Sequence, residues 1–473
     1  MLRIVAIACV ALLSAACLQA QETSAPADPS KGSDWPHWRG LNYDNTSPET
    51  GLLREWPAGG PKVVWRVPIL QGWSCPSVSG DDVFVTMTRF DTESHRQAQE
   101  EIMVCLDAAT GRERWRTSYP ISYSYGSLGW GMGGVRATPT VTDKHVYGID
   151  PLGNIKCLDR ATGKEVWGKS LGAEFYYGKH MDHKGYNNSP IIGNGVLVLH
   201  GASGKKGKGN HYTWAAGWDA LTGKQLWLHE EEGPNAKIRY PDGGASAVLI
   251  TLNKELCDLA SYNGYLHAYR VSDGKEVLKF NLFPDGALMT GGCDLLVAVN
   301  RVVVIPFGTF LACAEIDLTD PALPAKLAWS SQEFYGNGGY HNFVHYDGYL
   351  YGVNGYNTDG NNVKGGVLTL ECFDLKNGKR VWSQGGIVHG YSYIIADGLM
   401  FLRTFQTLSL VELNPEKFVL KSKVEKIHSV DTIAITDPRG LADCVMPVLS
   451  RGKLYVRTPT ELICYDVKDP KAK

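Results

Sequence analysis

Thirteen histidines and 49 acidic residues supply many groups capable of chemistry, and a few of them stand close together. His180, Asp182 and His183 form one group; His341, His345 and His389 lie further along. Imidazole and carboxylate suit transition metals, so His180, His183 and His345 are candidate ligands. Spacings of three or four residues on loops or strands do not by themselves specify metal geometry, and rim hydrogen bonding is the simpler role. Arg136, Tyr340, His341 and His389 are of the types that remove a proton beside an acidic sugar. There His or Tyr takes the proton and Arg neutralises the carboxylate. Asp242, Asp294 and Asp443 are candidate bases, and carboxylates of this kind also ligate hard cations. Trp73, Asn187, Asn188, Asn342 and Tyr391 add aromatic and amide groups suited to ligand binding. The run from Asn354 to Asn362 offers oxygens for calcium but lacks the spacing of a known calcium loop, and reads as an exposed hairpin. Cys75, Cys293 and Cys444 also lie near these groups, where small-residue packing is the simpler reading.

The elements that would position these residues come from a phrase that recurs along the chain. Cys105-Leu106-Asp107-Ala108-Ala109-Thr110-Gly111 runs into Trp115, and Cys157-Leu158-Asp159-Arg160-Ala161-Thr162-Gly163 into Trp167. Related copies lead to Trp227 and Trp382, and weaker ones surround Arg270, Asp317, Leu413 and Asp466. The eight anchors are spaced by about 51 residues, a period that marks a repeat architecture. Within a phrase, alternating Ile102, Val104 and Leu106 describe a strand. The Asp–Thr–Gly segment describes a turn, because Asp bonds its own backbone and Gly accepts positive φ. The Trp-bearing stretch is the next strand. Upstream pairs such as Pro76-Ser77-Val78 with Val83-Phe84-Val85 complete four strands per unit. The expected fold is all-β: an eight-bladed propeller of four-stranded blades. The last phrase has no Trp strand after it, while Val63-Val64-Trp65-Arg66-Val67 stands alone ahead of the first. This N-terminal strand is expected to complete the eighth blade and so remove an open edge. The short interval before Leu413 leaves the regularity of the seventh blade open.

The Leu-Asp-Ala-x-Thr-Gly-Lys-x-x-Trp phrase resembles the PQQ-type propeller repeat of quinoprotein alcohol dehydrogenases and of the outer-membrane assembly lipoprotein of Gram-negative bacteria. Trp35-Pro36-His37-Trp38-Arg39-Gly40, with Gly51-Leu52-Leu53 and Trp56-Pro57, is similar to the opening of exported PQQ-like propellers of planctomycetes and verrucomicrobia. The resemblance covers roughly residues 35–466 and specifies fold far better than function. For the dehydrogenases it implies a quinone held with calcium beside a carboxylate base, and one face of the quinone site made by adjacent cysteines. This chain contains neither a Cys-Cys pair nor a Cys-x-x-Cys-His haem motif.

Composition and register narrow the reading further. The 53 Gly suit many turns and the 13 Trp and 23 Tyr suit blade interfaces. A net charge of -2 gives no reason to expect nucleic acid as a partner. Lys205-Lys206-Gly207-Lys208 reads as a solvated loop tip. Arg3 before an apolar run from Ile4 to Leu13 is an export signal, too short to span a bilayer. We expect residues 1–20 to be the signal, 21–33 a polar tether, 34–467 one propeller and 468–473 a tail. Ser14-Ala15-Ala16-Cys17 resembles a lipoprotein box, making Cys17 a candidate lipid anchor, and the protein periplasmic, secreted or outer-membrane-tethered. Cys105, Cys157, Cys372 and Cys464 share one repeat slot and read as core thiols. The segments just before each blade's first strand would line the mouth of a central channel, the default ligand site of such a ring. The expected role is a monomeric scaffold binding an envelope protein or a small-molecule or carbohydrate ligand there. A PQQ-dependent alcohol or aldose oxidoreductase and a propeller-type polysaccharide lyase or hydrolase are the alternatives.

Overall fold

The repeat phrase folds as its chemistry requires. Asp107 Oδ1 accepts hydrogen bonds from the backbone N of Thr110 (2.9 Å) and from its hydroxyl (2.8 Å). The Gly111 N–H closes the turn on Asp107 O at 2.8 Å, with Gly111 at φ 72°. Asp159 with Thr162 and Asp219 with Thr222 repeat this arrangement. These bonds to the ionised form hold the Asp107 carboxyl down to about 2.

A computed structural model of the chain describes residues 34–93, 97–124, 134–171, 186–204, 211–232, 246–262, 264–282, 294–298, 300–305, 307–308, 311–317, 320, 322–331, 336–337, 343–354, 368–387, 391–404, 406–429 and 445–472. Eight antiparallel sheets form the blades of a propeller. Blade one comprises Ser77–Ser79, Asp82–Phe90, Gln97–Asp107 and Glu113–Ser124, innermost first. Blades two to seven follow in chain order. Blade eight has Val448–Ser450, Lys453–Arg457 and Glu461–Asp466, and its outer strand is Lys62–Pro68 from the other end of the chain. The register of that strand places Trp65 opposite Cys464, as Trp115 lies opposite Cys105 in blade one. Blade seven is a full four-stranded blade, which answers the doubt raised by its short interval. It even carries a fifth strand, Thr46–Ser47, parallel to its inner strand Ser392–Ala396.

What joins blade to blade is the tryptophan. Each outer-strand indole N–H donates to a carbonyl in the next blade's turn: Trp65 to Ala108, Trp115 to Arg160, Trp167 to Ala220, Trp227 to Val271, Trp329 to Leu375 and Trp382 to Asn414, all at 2.8–3.0 Å. The ring packs on the turn glycine. A Cβ on Gly163 would lie 2.5 Å from the Trp115 ring, and its φ of 70° also favours glycine. Two junctions lack the residue. Leu278 takes its place in blade four, and Ser422 in blade seven. At the second, the N-terminal segment supplies the missing ring. Trp56 N donates to Ser422 Oγ at 2.8 Å, and the buried indole packs 6.4 Å from Phe401. Trp56 shares an apolar cluster with Leu454 and Tyr465 of blade eight.

The strands are more buried than a one-sided alternation suggests. Met103 and Cys105 are as enclosed as Ile102, Val104 and Leu106, because each blade is covered on both faces.

The Trp56 assignment carries a stability prediction. Trp56→Ala should lower the unfolding free energy by about 3–5 kcal/mol in a denaturant titration, the usual cost of deleting a buried indole. A loss below about 1 kcal/mol would show that Trp56 does not hold the junction.

Candidate functional site

Strand order gives the ring two faces. The inner strand of every blade starts at one face, the rim, where the preceding segments arrive. The Asp–Thr–Gly turns and the turns after each inner strand lie at the other.

Residues 34–48 close that second face. Trp35 pairs with Val78 of blade one, and Pro36 O accepts from Val141 N of blade two at 2.8 Å. Across the channel the Arg39 guanidinium donates to Leu295 O of blade five. Asn45 O then accepts from Ile395 N of blade seven at 2.9 Å. Tyr43 joins an apolar cluster containing Ile191, Val248 and Leu295, inner-strand residues of blades three, four and five. Arg451 of blade eight pairs with Asp34 at 3.0 Å. The crossing is tight: Arg39, Gly40, Tyr43 and Asn45 all have positive φ, and His37 stacks on Tyr43 at 4.1 Å. Burial holds the His37 imidazole down to about 4, so it is neutral in this plug.

Hydrogen bonds between successive blades set the rim side of the channel. Cys75 N donates to Thr138 Oγ1 (3.2 Å), Thr138 N to Ser189 Oγ (3.0 Å), and Ser189 N to Ser246 Oγ (2.8 Å). Small side chains are required here because neighbouring inner strands approach closely. Two residues ahead of these positions stand Trp73, Arg136 and Asn187, one per blade and all half-buried. The structure brings these predicted residues together as one arc. Arg136 Nη1 donates to Asn187 Oδ1 at 2.8 Å, and Trp73 N donates to Val135 O at 2.7 Å.

Other candidates are placed differently. Asn188 is buried and donates to His200 O at 2.8 Å, and Tyr391 is buried in an apolar cluster with Tyr351 and Tyr393. His345 lies in the inner strand of blade six, Val344–Tyr346, and accepts from Gly348 N at 3.2 Å. Burial lowers its pKa, against the pull of Asp44 and Asp347. His180, His183, Asp242, Tyr340, His341, Asn342, His389 and Asp443 lie outside the described residues, as do Cys293, Cys444 and the Asp294 side chain. Among the described residues no three of His, Cys, Asp and Glu are arranged to hold a metal.

Beneath the rim lies a layer of buried polar groups that sequence reasoning missed. Arg457 Nη1 donates to Ser74 O, Ser74 Oγ and Thr86 O at 2.8–2.9 Å, and Nη2 to Leu70 O. It clamps blade eight to blade one. Burial lowers its pKa to about 10, with Cys75 and Glu101 opposing the shift, so it stays charged at neutral pH. Arg403 of blade seven occupies the same strand position and donates to Val445 O at 3.3 Å. In blade three that position is His200, whose Nε2 meets Asp258 of blade four. For the two arginines the register was a usable signal, since each ends an apolar second strand, Leu399–Arg403 and Lys453–Arg457.

With this geometry in view, comparison with known proteins is informative. The family model PQQ_2, described as outer membrane protein assembly factor BamB, matches residues 98–384, more than half of the chain. The chain belongs to this family. Its fold is also similar to that of the quinohemoprotein alcohol dehydrogenase of Comamonas testosteroni, with a TM-score of 0.65 at 14% identity, covering 93% of this chain and 81% of that one. A europium-containing methanol dehydrogenase gives 0.59 at 13%, covering 92% and 98%. BamB of Moraxella catarrhalis gives 0.53 at 11%, covering 86% and 98%. At these identities the likeness is one of fold. Among curated proteins none matches.

Among the described residues no group of three His, Cys, Asp or Glu side chains stands where it could hold the cation that a quinone site would need. A quinone-bound hard cation needs converging acidic oxygens. Among the described residues the buried carboxylates bond within the walls: Glu101 with Thr88, Asp150 with Leu152 and Asn154, Asp258 with His200, and Glu371 with Asn354 and Ser383.

The described cysteines behave as core residues. Cys75, Cys105, Cys157, Cys257, Cys313, Cys372 and Cys464 are all free and buried. Burial pushes the Cys75 thiol up despite the nearby guanidiniums of Arg457 and Arg403. These seven should resist a thiol reagent such as DTNB at pH 8 in the native protein and react on unfolding. Rapid native labelling of Cys75, read by peptide mapping, would contradict its placement in the wall.

Proposed function

We propose that this propeller is a ligand- or protein-binding scaffold of the cell envelope, with the rim-side channel mouth as its binding site. The observation that carries the reading is the plug. Residues 34–48 occupy the opposite face of the channel and are built into the ring, leaving the rim as the face for a ligand. The rim arc of Trp73, Arg136 and Asn187 offers an aromatic ring, a cation and an amide, which are groups of recognition. Membership in a family described by an outer-membrane assembly factor supports an envelope role. Export by the N-terminal signal, with Cys17 as a lipid anchor, belongs to the same proposal, as does a monomeric state.

The likeness to the alcohol dehydrogenases over 93% of this chain keeps a PQQ-dependent oxidoreductase as the rival reading. The two separate in one experiment. The purified protein is titrated with PQQ and calcium, then assayed by dye-coupled oxidation of alcohols and aldoses. A scaffold gives neither a stoichiometric chromophore nor turnover. Stoichiometric quinone binding with turnover would overturn the proposal. Release of an unsaturated sugar from an acidic polysaccharide would instead identify a lyase.

A further inference from the structure

Trp73 stands on a crossing segment whose shape is set from a different blade. Residues 70–74 carry the chain from the outer strand of blade eight, Lys62–Pro68, toward the inner strand of blade one, Ser77–Ser79. They run outside the blade ladders, so their backbone groups must find partners elsewhere. An isolated bridge joins Gln71 to Thr88, whose N–H donates to Gln71 O at 2.7 Å. Trp73 N donates to Val135 O at 2.7 Å.

The Arg457 guanidinium lies between the two ends of this segment. Nη2 donates to Leu70 O at 3.2 Å, ahead of Trp73, and Nη1 to Ser74 O and Ser74 Oγ at 2.9 Å, behind it. Gly72 packs directly on the fork, since a Cβ there would come 2.6 Å from Arg457 Nη2. A planar guanidinium suits the task. Its terminal nitrogens reach two carbonyls at a fixed separation, which an ammonium on a flexible stem does not. Arg457 is 1% exposed and charged at neutral pH, so these bonds are charge-assisted.

The junction between blades eight and one has other fasteners. The Trp65 indole donates to Ala108 O at 2.9 Å, and Ile69 N to Thr460 O at 2.9 Å. Bonds on both sides of Trp73 are what Arg457 adds to them.

We propose that Arg457 is the positioning residue for Trp73: by holding Leu70 and Ser74 together, its fork sets the backbone from which the indole is presented at the rim. The segment carrying Arg136 rests on the same backbone. Val135 O receives Trp73 N, and a Cβ on Gly134 would lie 3.1 Å from Gly72 Cα. The consequence for ligand affinity rests on the rim being the binding site.

The test is fluorine NMR of the full chain grown with 5-fluorotryptophan, without ligand. Among its 13 tryptophans, the Trp73 and Trp65 signals are assigned with Trp73→Phe and Trp65→Phe. Arg457→Ala should move and broaden the Trp73 signal and leave Trp65 in place. Guanidinium chloride, far below its denaturing range, should then refill the vacated space and return the Trp73 signal to its wild-type position. Arg457→Lys keeps the charge and loses the fork, so it should show the displaced signal. A wild-type Trp73 signal in either variant would overturn the inference. Joint displacement of Trp73 and Trp65, or a displacement that guanidinium does not reverse, would also overturn it, because Arg457 would then serve only the junction. If Arg457→Ala fails to fold, Arg457→Lys decides the question. The signals are read on the free protein, so failure of ligand binding would defeat the rim as binding site and leave this inference standing.

Discussion

A ring of blades is only as secure as its last junction, and the packing of one blade's indole on the next blade's turn makes six of the eight junctions here. The indole buries a large apolar surface and satisfies its N–H on a carbonyl in one contact. It needs a neighbour that lets it approach, which is why the turn ends in glycine. Where blade seven lacks the residue, Trp56 arrives from the strap. Where blade eight lacks its outer strand, Lys62–Pro68 provides it. Residues 34–68 thus contribute a plug, an indole and a strand to one closure.

That closure shapes the candidate site. Because residues 34–48 fill one end of the channel, the rim at the other end becomes the working face in our account. The rim rests on a wall that contains buried charge, and burying charge is costly unless each group finds partners. Arg457 finds carbonyls, His200 finds Asp258, and Glu101 sits where its neutral form is favoured. Arg457 stays charged at neutral pH.

The fold was largely legible because the repeat phrase encodes a turn and a docking residue together. Its register sets Trp73, Arg136 and Asn187 two residues ahead of the inter-blade bonds of Cys75, Thr138 and Ser189. Arg403, Arg457, His200 and Glu101 escaped notice because charge in a strand normally faces water, whereas these strands have neighbours on both faces. The plug was invisible for another reason. Residues 34–48 have no periodic pattern, and their structure comes from long-range contacts such as Arg39 to Leu295. Trp56 belonged to a recognisable opening sequence, yet only the absence of a tryptophan at Ser422 explains its place.

The most direct test of this account is hydrogen exchange by mass spectrometry on the chain with and without residues 34–68. If the strap closes the ring, its deletion should remove protection from Val448–Ser450, Lys453–Arg457 and Glu461–Asp466, and from the inner strands of blades one and seven. Native protection in those strands after deletion would contradict the account, because the ring would then close without the segment assigned to close it.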